Sequence, residues 1–301
     1  MSILIDQKTK LIIQGITGRE GTFHAKLMQE YGTKVVAGVT PGKGGKVVNG
    51  IPVFDTVQEA VEETSANTSI LFVPPRFTKD GILEAIDSGI KLVVTIAEGV
   101  PFHDMLFCYT YARLKNCTLI GPNTPGIISP AKSKVGFMDS TIYKKGNIGI
   151  MSRSATLSYE TVNNLSNNGI GQSTVVGIGG DPIQGSSFVD LLPLFEKDSE
   201  TDLIIIIGEI GGADEEIAAE YIKKNITKPV IAFIAGEAAP EGKRMGHAGA
   251  IIGADGVGSA KHKKEVLKDA GVYIVERLDK IAETVLQIPK KKGDFRNGNI
   301  N

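Results

Sequence analysis

Short apolar runs, many of them closed by glycine, recur along the chain and alternate with helical patterns. Lys10 to Gln14, Lys34 to Val39, Ser69 to Pro75, Leu92 to Gly99 and Cys117 to Ile120 form one set. Asn147 to Met151, Val175 to Ile178, Leu203 to Ile207, Pro229 to Ile234 and Val272 to Val275 form a second. Runs that do not alternate between apolar and polar positions suit parallel strands covered on both faces. Phe23, Leu27, Met28 and Tyr31 share one side of a helical pattern after the first run, and Lys261 to Ala270 and Leu278 to Ile288 read as helices near the end. Strands alternating with helices predict an α/β protein with mainly parallel sheets. The turn-rich stretch Gly121-Pro122-Asn123-Thr124-Pro125-Gly126 separates the two sets. This predicts domains over residues 1–128 and 129–288. The charged, glycine- and asparagine-rich segment 289–301 is predicted to be disordered.

Composition narrows the class. A chain of 301 residues is long for a single core, which agrees with two domains. With 33 basic against 34 acidic residues there is no electrostatic case for nucleic acid or membrane binding. Two cysteines, Cys108 and Cys117, make no disulfide framework and fit a reducing compartment. No apolar run approaches the length of a membrane span, and Met1 to Asp6 lacks the pattern of a signal or transit peptide, so the expected location is cytoplasmic.

The turns carry the candidate chemistry. The first strand runs into Gly15-Ile16-Thr17-Gly18-Arg19-Glu20-Gly21 and then a helix, a βα unit whose backbone N–H groups face an anion. Its spacing is G-x-x-G-x-x-G and not the dinucleotide fingerprint G-x-G-x-x-G. The second strand lacks the terminal Asp or Glu that an NAD ribose requires and leads into Thr40-Pro41-Gly42-Lys43-Gly44-Gly45-Lys46. A ligand with a phosphorylated ribose and a pyrophosphate, such as coenzyme A, suits that loop; so does a solvated turn with no ligand. Ala97 and Glu98 fall at the C-terminal end of their strand, the side on which open α/β sheets bind ligands. Ser152 to Glu160 is a hydroxyl-rich turn opening a helix, equally consistent with capping and with an oxyanion or phosphoryl cradle.

One histidine stands apart. Gly242-Lys243-Arg244-Met245-Gly246-His247-Ala248-Gly249-Ala250 sets an imidazole among small residues, with no neighbouring Cys, His, Asp or Glu at metal-ligand spacing. In isolation it reads as a surface-loop histidine. Glu209, framed by glycines at the tip of the most apolar strand, needs a partner there. The order of strands brings the loop of His247 beside it. An imidazole suits that place, because a carboxylate fixes its tautomer and favours its cation.

These stretches together, from Gln14 to His24, Gly38 to Gly45, Gly121 to Asn123, Gly177 to Ile183, Gly208 to Gly212 and Gly242 to Ile252, resemble the α subunits of succinyl-CoA synthetase (succinate–CoA ligase). The resemblance spans Ile3 to Ile288. It implies a Rossmann-like CoA-binding domain followed by a flavodoxin-like ligase domain. By that resemblance Thr17, Gly18, Arg19, Glu20, Lys43, Ile96, Ala97 and Glu98 line a CoA site, and Tyr159 contacts the carboxylic substrate. Ser154, Ala155 and Thr156 open the helix that stabilises a phosphoryl group, His247 is the phosphorylated histidine, and Glu209 is its carboxylate partner. Three positions depart from the common pattern: Ala97 for threonine, Thr124 for cysteine and Ala155 for glycine.

The implied activity is reversible formation of succinyl-CoA from succinate and CoA, driven by ATP or GTP through succinyl phosphate and a phosphohistidine. There is no Walker A sequence and no room for an ATP-grasp module. The nucleotide and its Mg²⁺ are therefore expected on a β subunit, with no metal site on this chain. Alternatives are an NDP-forming synthetase for another carboxylate, such as malate or acetate, and a regulatory CoA- or NAD-binding module without catalysis.

Overall fold

Two sheets of seven strands each organise the chain in a computed structural model, which describes residues 2–240, 242–252 and 258–289. The tail expected to be disordered lies, from Lys290 on, outside the described residues. In the first unit β1 (Lys10–Gln14) leads to α1 (Arg19–Glu30), β2 (Lys34–Val39), a hairpin of β3 (Val47–Val48) and β4 (Ile51–Phe54), and α2 (Val57–Thr64). β5 (Thr68–Leu71), α3 (Pro75–Asp87), β6 (Leu92–Thr95), α4 (Phe102–Leu114) and β7 (Thr118–Ile120) complete it. The strand order is β3-β4-β2-β1-β5-β6-β7. With the β3 hairpin set aside, this is the doubly wound dinucleotide-binding order, which reverses direction between β1 and β5.

Gly15 forms that reversal. Its φ is +78°, and a Cβ there would lie 2.4 Å from the carbonyl oxygen of Phe72, just after β5. Only glycine lets the two chain segments approach so closely. Behind the turn, α1 buries Gly21, Ala25 and Met28. Phe23, expected on the apolar side, is 56% exposed. The buried stripe opens with two small residues, Gly21 and Ala25, that bring the helix onto the sheet, and the Phe23 ring is left outside.

The second unit opens with an antiparallel hairpin, β8 (Gly126–Ser129) and β9 (Ser133–Gly136). Then come β10 (Lys145–Ser152), α5 (Ala155–Asn167), β11 (Gln172–Gly177), α6 (Phe188–Lys197) and β12 (Leu203–Glu209). α7 (Asp214–Asn225), β13 (Val230–Ala235), α8 (Ala260–Asp269), β14 (Tyr273–Ile274) and α9 (Ile281–Gln287) follow. The order is β14-β13-β12-β10-β11-β8-β9. The five strands from β10 to β14 are parallel in the flavodoxin order, reversing between β10 and β12. Because β8 already belongs to this sheet, its strand runs across the 128/129 boundary read from the turn signals; the chain passes between sheets in residues 121–125.

The units are tied together. Arg113 of α4 donates to both oxygens of Asp190 in α6, at 2.7 and 2.8 Å. Thr33 Oγ1 donates to Lys134 O at 2.8 Å and accepts its N–H at 2.9 Å. One cluster of buried side chains runs from Leu11 and Ile70 of the first sheet through Val176 and Phe188 to Ile206 of the second. Each such side chain stabilises the fold by roughly 1.5–3 kcal/mol through its removal from water, so the two sheets are held in a fixed relation across a shared core.

Candidate active site

At Glu209 the ladder of the second sheet runs out on one side. The residue still pairs with Ala235 of β13, but β10 ends at Ser152, opposite Ile207. Glu209 is buried, so its carboxylate needs compensating charge. Two side chains supply it. His247 Nδ1 lies 2.7 Å from Oε2, and Arg153 Nε lies 3.2 Å from Oε1. Arg153 immediately follows β10, is buried itself, and reaches Asp214 with Nη1 at 3.5 Å. Both residues stand at the reversal point of their sheet, where open α/β folds place ligands.

With Nδ1–H donated to Glu209, a neutral imidazole carries its lone pair on Nε2. The ring lies over Gly180, where a Cβ would come within 2.4 Å of Cδ2 and 2.6 Å of Nε2. The hydrogen bond to Glu209 holds the imidazole's pKa above the ordinary 6.5; burial and the Arg153 charge oppose it, and the charges of Glu209 and Glu98 add to it. The side chain is 27% exposed. The arrangement is an oriented nitrogen nucleophile with a carboxylate placed to stabilise its cation.

Glu98 comes from the loop after β6 in the first domain. It lines a cleft of about 210 Å³ with Phe102, Asp181, Pro182, Arg244 and Ala248, so the first domain's loop and the histidine loop share one opening. Asp181 closes the back of it. Its carboxylate accepts the N–H of Gly99 at 3.1 Å and the Asn123 side-chain amide at 3.2 Å. Burial pushes the Asp181 carboxyl upward, its two hydrogen bonds oppose this, and Glu98 reinforces it.

In the turn before α5 two hydroxyls serve the backbone. Ser154 is the N-cap, and its side chain accepts the N–H of Leu157 at 3.2 Å, a contact of a kind worth about 1 kcal/mol. Ser152 Oγ donates to Ser154 O at 2.7 Å and accepts its N–H at 3.1 Å. The amides of Ala155 and Thr156 lie in the first turn, where a helix has no acceptor of its own. Tyr159 sits about one turn on, half-buried on the cluster that includes Met138 and Tyr143. Burial pushes its hydroxyl up to about 12. No hydrogen bond among the described residues joins Tyr159 to the His247–Glu209 pair.

The other residues singled out in the sequence gather at the C-terminal edge of the first sheet. Thr17 Oγ1 meets Thr40 Oγ1 at 3.2 Å, which brings the loops after β1 and β2 together. Gly18 caps α1, and Arg19 and Glu20 are exposed in its first turn. The Lys43 side chain is exposed, but the amides of Lys43 and Gly44 are committed to Asp55 Oδ1 at 2.9 and 2.8 Å. The loop therefore presents cationic side chains more than free amides. Ile96 and Ala97 pack on the core clusters, and Ala97 O accepts the N–H of Asn123 at 2.9 Å.

Residues 6–99 match the family model described as CoA binding domain, and residues 151–280 match the one described as CoA-ligase. The succinate–CoA ligase [ADP-forming] subunit alpha of Aquifex aeolicus is 57% identical over 292 residues, covering 96% of this chain and 95% of the relative. This chain belongs to the family of succinate–CoA ligase α subunits. The subunit alpha 2 of Archaeoglobus fulgidus is 54% identical over 288 residues, 96% of this chain and all of that one. Among solved structures, ATP citrate lyase from Methanothrix soehngenii, in complex with citrate and coenzyme A, superposes with a TM-score of 0.85 at 26% identity, over 95% of this chain and 50% of that one.

Arg153, Gly180 and Asp181 touch the site, yet nothing in the sequence marked them as individual site residues. Arg153 stood in the hydroxyl-rich turn, and Gly180 and Asp181 in the stretch Gly177 to Ile183 that carries part of the resemblance. What would have exposed Arg153 is its position directly after an apolar strand, where a cation requires a buried anion. Among the described residues no group of three or more His, Cys, Asp or Glu is placed to hold a metal, and no helix is long and apolar enough to cross a membrane.

Proposed function

We propose that this chain is the α subunit of an ADP-forming succinate–CoA ligase and carries its phosphoryl group on Nε2 of His247. The observation that carries this reading is the 2.7 Å contact between Nδ1 and Glu209, which leaves the Nε2 lone pair free, on a loop whose Arg244 and Ala248 line a cleft together with Glu98 of the first domain. In the direction of thioester synthesis, Nε2 attacks the γ-phosphorus of ATP held by a β subunit, and the bond to ADP breaks. The phosphorylated ring is a cation, and Glu209 stabilises it through the Nδ1–H. A succinate carboxylate oxygen then takes the phosphoryl group, which frees His247 and gives succinyl phosphate. The CoA thiolate attacks its acyl carbon and expels phosphate. Splitting the ligation in this way makes each displacement accessible.

Within this reading the amides of Ala155 and Thr156, at the helix end capped by Ser154, hold phosphoryl oxygens. Thr17, Gly18, Arg19, Glu20 and Lys43 receive the phosphates and adenosine end of CoA. Ile96, Ala97 and Glu98 lead its thiol arm toward the cleft, and Tyr159 takes part in succinate recognition. The Mg²⁺ belongs with the nucleotide on the β subunit. The reading places the enzyme in the cytoplasm, in keeping with Cys108 and Cys117 being free thiols and not a disulfide.

The test is succinyl-CoA formation by the chain alone and by the chain co-expressed with a β subunit. The reading expects activity, with release of ADP, only in the second case. Full activity of the isolated chain would remove the partner from the account.

A further inference from the structure

The backbone of Glu209 is gripped by an ion pair that the proposed reaction does not use. Lys263 of α8 and Glu215 of α7 are both completely inaccessible to solvent and form a direct salt bridge. Lys263 Nζ also donates to Glu209 O at 2.9 Å and to Gly211 O at 2.6 Å. Glu215 Oε1 accepts the Glu209 N–H at 3.1 Å. Both main-chain groups of Glu209 are therefore held by one buried pair, at the point where β10 no longer provides a ladder partner.

Such a pair is an expensive way to gain stability. Taking two charges out of water costs several kcal/mol per ion, and well-packed apolar residues of similar volume often serve a fold equally well. What the pair supplies here and apolar residues could not is direction. It provides a donor fixed on one side of the Glu209 peptide and an acceptor fixed on the other. The neighbouring residue, Lys264, bonds Glu237 at 2.7 Å and also pairs with Glu276; Glu237 stands just after β13, where the chain departs toward His247. Adjacent lysines of α8 thus hold the strand tip that carries the carboxylate and the base of the loop that carries the imidazole.

We infer that Lys263 and Glu215 are positioning residues for phosphoryl transfer, fixing the Glu209 main chain so that its carboxylate meets Nδ1 of His247. The inference rests on the reading of His247 as the phosphorylated residue. A displacement of about 1 Å at a reacting group costs on the order of 10²-fold in rate. Loosening the Glu209 peptide therefore slows phosphorylation without touching a ligand.

The test uses the full chain with its β subunit and measures three things: the initial rate of His247 phosphorylation from labelled nucleotide across pH, the KM for CoA, and the thermal midpoint. The variants are Lys263→Met/Glu215→Leu, which removes both charges together, and Glu215→Gln, which keeps the side chain's volume and one acceptor. The double variant is expected to lose about ten- to a hundredfold in rate per folded molecule. Its KM for CoA should be unchanged, and its acid limb should move to lower pH as the Glu209–His247 bond weakens. Glu215→Gln is expected to shift the limb the same way with a smaller loss. A rate per folded molecule and an acid limb equal to wild type in either variant overturn the inference and leave the pair a purely structural role. Should the double variant not fold, Glu215→Gln decides alone by the same criterion. Absence of label on wild-type His247 overturns the underlying reading instead, which keeps the two failures distinct.

Discussion

Arg153 and His247 address opposite oxygens of one carboxylate: Nε of Arg153 lies 3.2 Å from Oε1 of Glu209, and Nδ1 of His247 lies 2.7 Å from Oε2. The cation and the imidazole therefore compete for the same negative charge. Glu209 raises the pKa of His247 while Arg153 pulls it back. A phosphoryl acceptor needs both effects. The carboxylate stabilises the phosphorylated ring, and the guanidinium limits how far that carboxylate raises the unphosphorylated ring's hold on a proton.

Two substitutions should therefore move the acid limb of His247 phosphorylation in opposite directions. In Glu209→Gln the charge is lost and the imidazole titrates lower, so the limb moves to lower pH while the maximal rate falls about 10²-fold. In Arg153→Met the opposing cation is lost and the limb moves to higher pH. Rates measured over a pH series for both variants check this. Shifts of the same sign would show that the shared carboxylate does not set the titration.

The same pair couples stability to pH. The folded-state pKa of His247 is raised above its ordinary 6.5, so the stabilisation is complete below that value and is lost as pH rises through the folded value. Denaturant unfolding of wild type and His247→Asn at a series of pH values should show the wild-type advantage shrinking as pH rises through that interval. An advantage that grows with pH would have the wrong sign.

Gly180 sets the seat of the ring. A Cβ there would come within 2.4 Å of the His247 imidazole, closer than packed atoms allow. Gly180→Ala should displace the ring and reduce phosphorylation about 10²-fold, with CoA binding and the thermal midpoint near wild type. CoA affinity by calorimetry and labelling rate separate these effects. A loss of CoA affinity matching the loss of rate would point to a wider disturbance.

Much of the site was legible in the sequence. Glu209 announced itself as a lone carboxylate ending a run of aliphatic residues, and His247 as an imidazole among glycines. The order of parallel strands predicted that they would meet. The sheets were legible for the same reason, since buried parallel strands leave continuous apolar runs. The hairpin of β8 and β9 was not, because its residues interleave glycine, serine and lysine, and its burial comes from pairing with β11 and from contacts with the other domain, as with Thr33 on Lys134. Asp181 was equally hidden as a bridge. An aspartate in a glycine-rich loop does not reveal that its partner is the N–H of Gly99, 82 positions away. Lys263 was obscured by composition, because a lysine in Lys261-His262-Lys263-Lys264 looks like part of a solvated face, while the fold buries both Lys263 and Lys264.

The central claim is that His247 carries the phosphoryl group, and isotope labelling tests it most directly. The chain, assembled with its β subunit, is incubated with γ-phosphate-labelled ATP, and the bound label is assayed for acid and base stability and mapped by peptide analysis. The account predicts label on this chain that is lost in acid, survives base, maps to the peptide containing His247, disappears on adding succinate and CoA, and is absent from His247→Asn. Label that persists in His247→Asn, or no label on a complex that still makes succinyl-CoA, would contradict it.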